Sequence, residues 1–349
     1  MEAIVIQDYL SPGGFAIPMR SKVTGTVLAA ARKRNASLRL TFESVSIAGR
    51  EFPFKAHVLE VDNAREVVEP DGTILGLDQL PKRPGKVELI LLAAAYAHPA
   101  LLVSLETTKY VIREVERPAV QYAAGTDIAL TLEEFPAGAS PVPMPKPDLV
   151  TPGPLAHLLN ELPIRTTTRH TSVPADWINL AFLGSRVSLV RAFEAAGWNT
   201  ATQLSLRADV RTFFAVADHH SYKSAPVSTI LVSGREPDLV YQKQTNTFAK
   251  RHHVRIWSTG RSWDGQPVWI AAATHDIGID FSREARTFTH RVASNIDLER
   301  LKIVDDLRFA ERVASLSYMS RSSIPNPSRN ATGDVIRTDG RLAVLELRP

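Results

Sequence analysis

The stretch that decides the fold runs from Gln242 to Arg300 and reads QKQTNTFAKRHHVRIWSTGRSWDGQPVWIAAATHDIGIDFSREARTFTHRVASNIDLER. It contains four of the ten histidines and three of the five tryptophans of the chain. Lysine and arginine number nine here against six aspartates and glutamates, an excess of three, while the whole chain carries a net charge of +4. The basic surplus is therefore local, and this stretch is the first place to look for a site.

Three segments of the stretch, HHVRIW, QPVWIAAATHDIGI and TFTHRV, alternate in character at every second residue, which predicts β-strands. Between the first two, Asp264-Gly265 supplies the positive backbone dihedrals of a tight turn, so we expect a hairpin. Successive side chains on a strand point to opposite faces. His253 and Arg255 therefore share a face of the first strand, and His275 and Asp276 lie on opposite faces of the second.

After the third strand, NIDLERLKIVDDLRF is predicted to form an amphipathic helix. Its buried side is predicted to consist of Leu298, Leu301, Val304 and Leu307. Ser294 and Asp297 fit a capping pattern at its start, and Asp305-Asp306 are expected to face water. The helix begins just after His290 and Arg291, so its free amides and dipole lie beside two potential cations. This end is either an anion site or a solvated charged rim.

Length and composition set the class of protein. A chain of 349 residues is longer than one typical domain, and 44% hydrophobic with 22% charged residues is ordinary for folded protein. Without cysteine there is no disulfide, thiolate nucleophile or cysteine-ligated zinc. A pI near 9.3 permits anionic partners, but no recognised nucleic-acid module is present, so nucleic acid is not an expected partner.

Residues 1–135 are predicted to form a β-rich domain, a small barrel or sandwich, because short alternating runs are separated by turns such as Asp71-Gly72. The first twenty residues lack the layout of a signal peptide. The most apolar run, Val87 to Leu105, is interrupted by Glu88 and His98-Pro99. It reads as a buried helix and strand, or as a helix that packs on the barrel, rather than a transmembrane helix, and a peripheral membrane contact is a further alternative.

Residues 136–154 carry seven prolines and are predicted to be a stiff linker. Residues 155–349 then form a second domain. WINLAFLG reads as a strand, and RVSLVRAFEAAGW as a helix capped by Ser185 and stopped at Gly197. TDGRLAVLEL reads as a returning strand. The predicted class is α+β, with an antiparallel sheet and flanking helices in the second domain.

Several of these motifs, taken in order, resemble the LssY carboxyl-terminal domain family over Trp177 to Leu347. They are NLAFLGS, AFEAAGW, GREPDLVYQK, RHHVRIW, GQPVWIAAATHDIG, FTHRV, IDLER and TDGRLAVLEL. The resemblance implies a bacterial cell-envelope setting, periplasmic or membrane-associated, near secretion components and membrane phosphatase-like modules. It supplies no reaction. Members have two histidines where this chain has His290-Arg291, so a role that needs the second histidine does not carry over.

Three interpretations of the histidines remain open. A metal site would gather ligands from His253, His275 or Asp276, and His290, but neither HExxH nor HxH spacing is present, and we predict no metal or other cofactor. A phosphoesterase could use His253 or His290 as acid, base or nucleophile and Arg255 as a bidentate clamp. The third interpretation is a packed, hydrogen-bonded seam of histidine and tryptophan.

The sequence favours a non-enzymatic binding or assembly module of the envelope over a hydrolase, since no complete catalytic constellation is visible. Its ligand is predicted to be anionic, a phosphate-type small molecule or a lipid headgroup, and a membrane or envelope protein is a further expected partner. The candidate ligand-binding residues are His253, Arg255, His275, Asp276, His290 and Arg291. No residue is assigned a catalytic role.

Overall fold

The structure is a computed structural model of the chain. It describes residues 1–10, 16–31, 36–62, 66–76, 120, 122, 125–134, 149–169, 171–200, 230–243, 250–282, 287–321 and 324–349. The described residues fall into two units, one within Met1–Pro145 and the other within Lys146–Asp209 and Ser221–Pro349. They are mostly strand, with three helices.

The first unit is built on an antiparallel sheet. The strands of the unit are β1 (Glu2–Ile4), β2 (Tyr9–Leu10), β3 (Ala16–Ile17), β4 (Lys22–Ala31), β5 (Ser37–Ile47), β6 (Arg50–Val61), β7 (Val67–Val68), β8 (Thr73–Leu75) and β9 (Ile128–Glu134). Strands β2 and β3 pair with each other in a separate two-stranded sheet. The sheet runs in the order β1-β4-β5-β6-β9, with β8 paired to β5 and to β7. Its core includes Phe42, Val45 and Val58, each at most 1% exposed. The β-rich class of this unit is confirmed.

Closure of this sheet into a barrel or sandwich stays a prediction. Within the described ranges, β1 and β9 are the two ends of the strand order and do not pair with each other. The apolar run Val87 to Leu105 lies outside the described residues. In the part of the chain that the structure describes, no helix has the length and hydropathy needed to cross a membrane.

The second unit contains the remaining elements. Its strands are β10 (Leu149–Val150), β11 (Arg165–Thr168), β12 (Pro174–Trp177), β13 (Leu180–Leu183), β14 (Trp198–Thr200), β15 (Ile230–Leu231), β16 (Leu239–Lys243), β17 (Lys250–Trp263), β18 (Gln266–Ser282), β19 (Thr287–Val292), β20 (Val313–Ser320), β21 (Ser328–Arg329), β22 (Val335–Ile336) and β23 (Arg341–Leu347). Its helices are α1 (Gly153–Asn160), α2 (Arg186–Ala195) and α3 (Ile296–Phe309).

A nine-stranded sheet organises this unit in the order β10-β20-β23-β13-β18-β17-β16-β14, with β19 also paired to β18. Most pairs are antiparallel, but β13–β23 and β10–β20 are parallel. Helices α2 and α3 cover one face, where Phe193 and Leu307 pack with Ile256 and Ala271. Helix α1 and the three-stranded sheet β12-β11-β15 cover the other face, around Trp257. Each fully buried large apolar side chain contributes about 1.5–3 kcal/mol to the stability of the fold. The hydrophobic clusters on the two faces of the sheet therefore hold the layers together.

Two predicted elements of this unit are confirmed at residue level. Ser185 Oγ accepts a hydrogen bond from the Ser188 amide at 3.0 Å and caps α2, and Gly197 ends that region with a φ of +78°. A positive φ is costly for residues with a Cβ, which is why glycine stands there. The returning strand β23 also forms where TDGRLAVLEL predicted it.

Helix α3 differs from its prediction in its cap and in its buried side. Asn295, and not Ser294, caps it by accepting from the Asp297 amide at 3.1 Å. Leu298 is 63% exposed, whereas Asp305 and Asp306 are buried. Val304 and Leu307 are buried as predicted, but the buried side also takes in Ile303, which packs on the sheet, and Asp306, which has buried polar partners there. The expectation that the two aspartates face water was wrong.

The last residues of the predicted linker fold with the second unit. Leu149–Val150 pair in parallel with β20, and α1 begins at Gly153 with Pro152 as its N-cap residue. Pro154 follows in the first turn, where proline is tolerated because the amide that it lacks has no partner there. The described end of 136–154 therefore belongs to the second unit.

The division into domains at 1–135, 136–154 and 155–349 stays a prediction with a direct test. We expect limited proteolysis of the full chain to cut between residues 136 and 148 and to leave two resistant pieces, because linkers expose backbone that domains protect. Fragment masses measure the outcome. Resistance to cleavage there, together with unfolding in a single transition, would count against the division.

Candidate functional site

The site is organised by the hairpin of β17 and β18. Asp264 and Gly265 have φ of +46° and +74°, so the predicted tight turn is confirmed. The strands pair antiparallel with His253 opposite Thr274 and His252 opposite His275, and a register shift lies between Ser258 and Ser262. Directly paired residues present their side chains on the same face. The hairpin therefore carries one polar group on each face of the sheet.

The first group, which we call the arginine network, consists of Arg251, His253, Arg255, Asp176 and Asp276. Arg251 Nη2 donates to Asp276 Oδ2 at 3.4 Å, and Arg255 Nη1 donates to Asp176 Oδ2 at 3.4 Å. His253 Nδ1 lies 3.7 Å from Asp276 Oδ2. The network thus places two guanidinium groups and an imidazole against two carboxyl groups.

Burial governs the electrostatics of this network. Arg251, His253, Arg255 and Asp276 are each at most 4% exposed. Desolvation raises the pKa of Asp276 to about 6, although both guanidinium groups act to lower it. Desolvation also raises the pKa of Asp176, against the same pull from Arg255. Because arginine stays charged while the carboxyl groups take up protons, the network gains net positive charge as the pH falls towards about 6.

Arg255 is not the open cation that the sequence suggested. We expected its guanidinium to be available to orient a ligand, but it is 3% exposed and paired with Asp176. Asp176 comes from β12, a strand outside the hairpin, and the motifs gave no reason to place it beside Arg255. A ligand that reaches Arg255 must therefore compete with an internal carboxylate.

His275 is separated from the rest of the expected set. It lies on the opposite face of the sheet from His253 and Asp276, so the alternative of His275 or Asp276 as a neighbour of His253 resolves to Asp276. His275 instead stacks on His252, with ring centroids 4.0 Å apart and an interplanar angle of 23°. His252 Nδ1 lies 2.6 Å from Glu299 Oε2 on α3. We call His252 and His275 the histidine pair, and Glu299 is the carboxylate that contacts it.

The last two expected residues lie on β19. Arg291 is exposed and pairs in register with Gly278, beyond a register shift that lies between Asp276 and Gly278. Val292 is the residue that stands opposite Asp276, so its neighbour Arg291 points away from the face that carries Asp276. The structure therefore does not bring Arg291 to the arginine network. His290 pairs in register with Ile279, and its side chain lies outside the described part of the chain.

Sequence reasoning missed a third polar group, which joins α3 to the sheet. Asp306 Oδ2 accepts from Lys243 Nζ at 2.8 Å and from Trp198 Nε1 at 2.9 Å. Lys243 also donates to the Ala196 carbonyl at 3.0 Å. These contacts fix α3 against the sheet, and with it Glu299.

These observations define the class of the second unit as a mostly β domain whose central hairpin carries buried charge on both faces. The family model described as LssY C-terminus matches residues 159–342, more than half of the 349-residue chain. The chain belongs to this family, as its motifs indicated. Comparisons with curated proteins and with solved structures find no match.

Proposed function

We propose that the protein is a binding or assembly module of the bacterial cell envelope that holds an anionic, phosphate-type ligand at the arginine network. The observation that carries the proposal is the pairing of Arg251 and Arg255 with carboxyl groups whose pKa values are raised. Guanidinium groups recognise carboxylate and phosphate by the same fork of donors. Asp176 and Asp276 then occupy the positions that an external anion would take.

The pKa of Asp276 makes this exchange depend on pH. Below about 6 this carboxyl group is largely protonated, and the positive charge of Arg251 is then no longer balanced within the network. A bound anion would then supply a new negative partner for Arg251, so that this buried cation is not left unpaired. The envelope setting rests on the family resemblance and on no contact in the structure.

Sulfate binding tests the proposal, because sulfate keeps its charge between about pH 5 and pH 8, where phosphate and Asp276 both titrate. We expect calorimetric titration of the full chain to show affinity that falls by up to about tenfold for each pH unit above about 6. We expect Asp276→Asn to bind sulfate more tightly than the natural chain near neutral pH and to lose this pH dependence. Arg255→Lys, which removes the fork, should weaken binding.

A matched control lies on the same strand. Arg261 of β17 has a 49% exposed side chain and pairs with Glu161 at the surface, so Arg261→Lys should leave sulfate binding unchanged. Equal effects of the substitutions at residues 255 and 261 would contradict the proposal, as would tighter sulfate binding at higher pH.

A phosphoesterase is the second candidate, and one contact favours it. The Thr274 hydroxyl lies 2.7 Å from His253 Nε2, while His253 Nδ1 lies 3.7 Å from Asp276. A hydroxyl, an imidazole and a carboxyl in this order can activate an oxygen nucleophile, with Arg251 and Arg255 holding phosphate oxygens. Against it, Thr274 and His253 are 2% and 4% exposed, so a substrate would first have to reach them.

Hydrolysis separates the two candidates. We expect no turnover of phosphomonoesters or phosphodiesters by the full chain, with or without divalent metal ions. Turnover that disappears in both His253→Ala and Thr274→Val would establish the phosphoesterase and refute the binding-only function. The same panel with Arg261→Lys controls for effects of a changed surface.

A further inference from the structure

Within the described residues, the histidine pair is a cluster of metal-binding side chains that the proposed anion site does not use. His252 and His275 come from neighbouring strands of the hairpin and pair directly across it. Their rings stack at 4.0 Å, and one ring nitrogen of each lies within 4.8 Å of the other. In a tetrahedral zinc site two ligating nitrogens, each about 2.0–2.1 Å from the ion, are about 3.3 Å apart, and the ion lies in the plane of each ring. The half-buried His275 ring must therefore turn out of its stack on His252 to ligate the same ion.

Glu299 sets the chemistry of the buried partner. Its Oε2 lies 2.6 Å from His252 Nδ1, and Glu299 is 3% exposed. A carboxylate in this position favours the tautomer with the proton on Nδ1, which leaves the lone pair on Nε2 for a metal. Metal-ligating histidines commonly donate their other ring N–H to a carboxylate, which orients the ring and raises its basicity. The arrangement around His252 has this form.

From this geometry we propose that His252 and His275 ligate a divalent transition-metal ion such as Zn²⁺, with Glu299 positioning His252 from behind. Imidazole nitrogens suit zinc, copper, iron and nickel, whereas hard cations such as Mg²⁺ take oxygen ligands. Water or further oxygen ligands complete the coordination. The site lies on the face of the sheet opposite the arginine network, so it does not depend on anion binding there.

Zinc titration of the full chain, metal-stripped and free of any histidine tag, tests this inference with a chromophoric chelator as competitor. We expect one Zn²⁺ per chain and no competition from Mg²⁺ at similar concentration. His275→Ala should lower the zinc affinity at least about tenfold, since it removes a ligand. Glu299→Gln keeps a hydrogen-bonding group but loses its charge, and should cost about 10–100-fold.

The matched control is His157→Ala. His157 has an 81% exposed side chain on α1, and its contact with Glu161 is a surface pair. We expect its loss to leave zinc binding unchanged. Because His275 is only half-buried, its alanine variant is the safer test of a ligand, and unfolding by circular dichroism checks that each variant keeps its fold.

Three outcomes would overturn the inference. They are the absence of zinc binding by the natural chain, zinc binding that His275→Ala leaves unchanged, and a loss of binding in His157→Ala equal to that in His275→Ala. An effect of His275→Ala without any effect of Glu299→Gln would assign the ion to a different coordination, and would reject the positioning role of Glu299.

Discussion

Replacement of Asp306 by alanine is expected to lower the free energy of unfolding of the second unit by about 3–5 kcal/mol, because it leaves a buried ammonium group without its counter-ion. Lys243 has an 11% exposed side chain and donates to Asp306 at 2.8 Å. The indole N–H of Trp198 loses the same acceptor. Denaturant unfolding followed by tryptophan fluorescence measures the change.

Two further variants make this result specific. Asp306→Asn keeps an acceptor for Trp198 but removes the charge. Its free energy of unfolding should therefore lie between those of the natural chain and the alanine variant. Glu161→Ala is the surface control, since its partner Arg261 is 49% exposed and such pairs contribute only about 0–1 kcal/mol. A loss in Asp306→Ala no larger than in Glu161→Ala would show that α3 is not held in the manner described.

Stability is expected to depend on pH through Asp276, with a sign opposite to that of an ordinary paired aspartate. Its pKa is raised from 3.8 to about 6 by burial, so between these values the folded state binds a proton that the unfolded state has released. The stabilisation by this proton is complete below about 3.8 and is lost as the pH rises through about 6. At about 1.4 kcal/mol per pKa unit, the loss amounts to about 3 kcal/mol.

The difference between the natural chain and Asp276→Asn isolates this contribution, because every other titrating group is common to both proteins. We expect that difference in unfolding free energy to shift by about 2 kcal/mol between about pH 4 and pH 7, with the natural chain losing stability relative to the variant as the pH rises. A difference that is independent of pH, or that changes in the opposite direction, would mean that burial does not govern the ionisation of Asp276.

The hairpin shows how much of the site the sequence could predict. Alternation and the Asp264-Gly265 turn predicted both strands and the side-chain order along each of them. A two-residue turn also pairs odd-numbered with even-numbered residues, which already places His253 with Asp276 and His252 with His275 on separate faces. The register shift before the turn preserves this parity. His252 could therefore have been included from the sequence by applying that rule.

The partners of the hairpin could not be predicted in this way. Asp176 and Glu299 reach the sheet from β12 and α3, and their contacts with Arg255 and His252 depend on how distant segments pack. The pattern of apolar residues placed Val304 and Leu307 correctly on the buried side of α3 but missed Asp306 there for the same reason. Asp306 is buried there because Lys243 and Trp198 satisfy it, and hydrophobic periodicity carries no information about such partners.

The most direct test of the anion site is nitrogen NMR of the guanidinium groups of the arginine-labelled chain during titration with sulfate at about pH 5, where Asp276 is protonated. We expect the signals of Arg251 and Arg255 to shift with saturation, and that of Arg261 to stay in place. Assignment by Arg255→Lys and Arg261→Lys identifies the signals. Shifts confined to Arg261 or Arg291, or no shift at all, would contradict the proposal that the arginine network binds an anion.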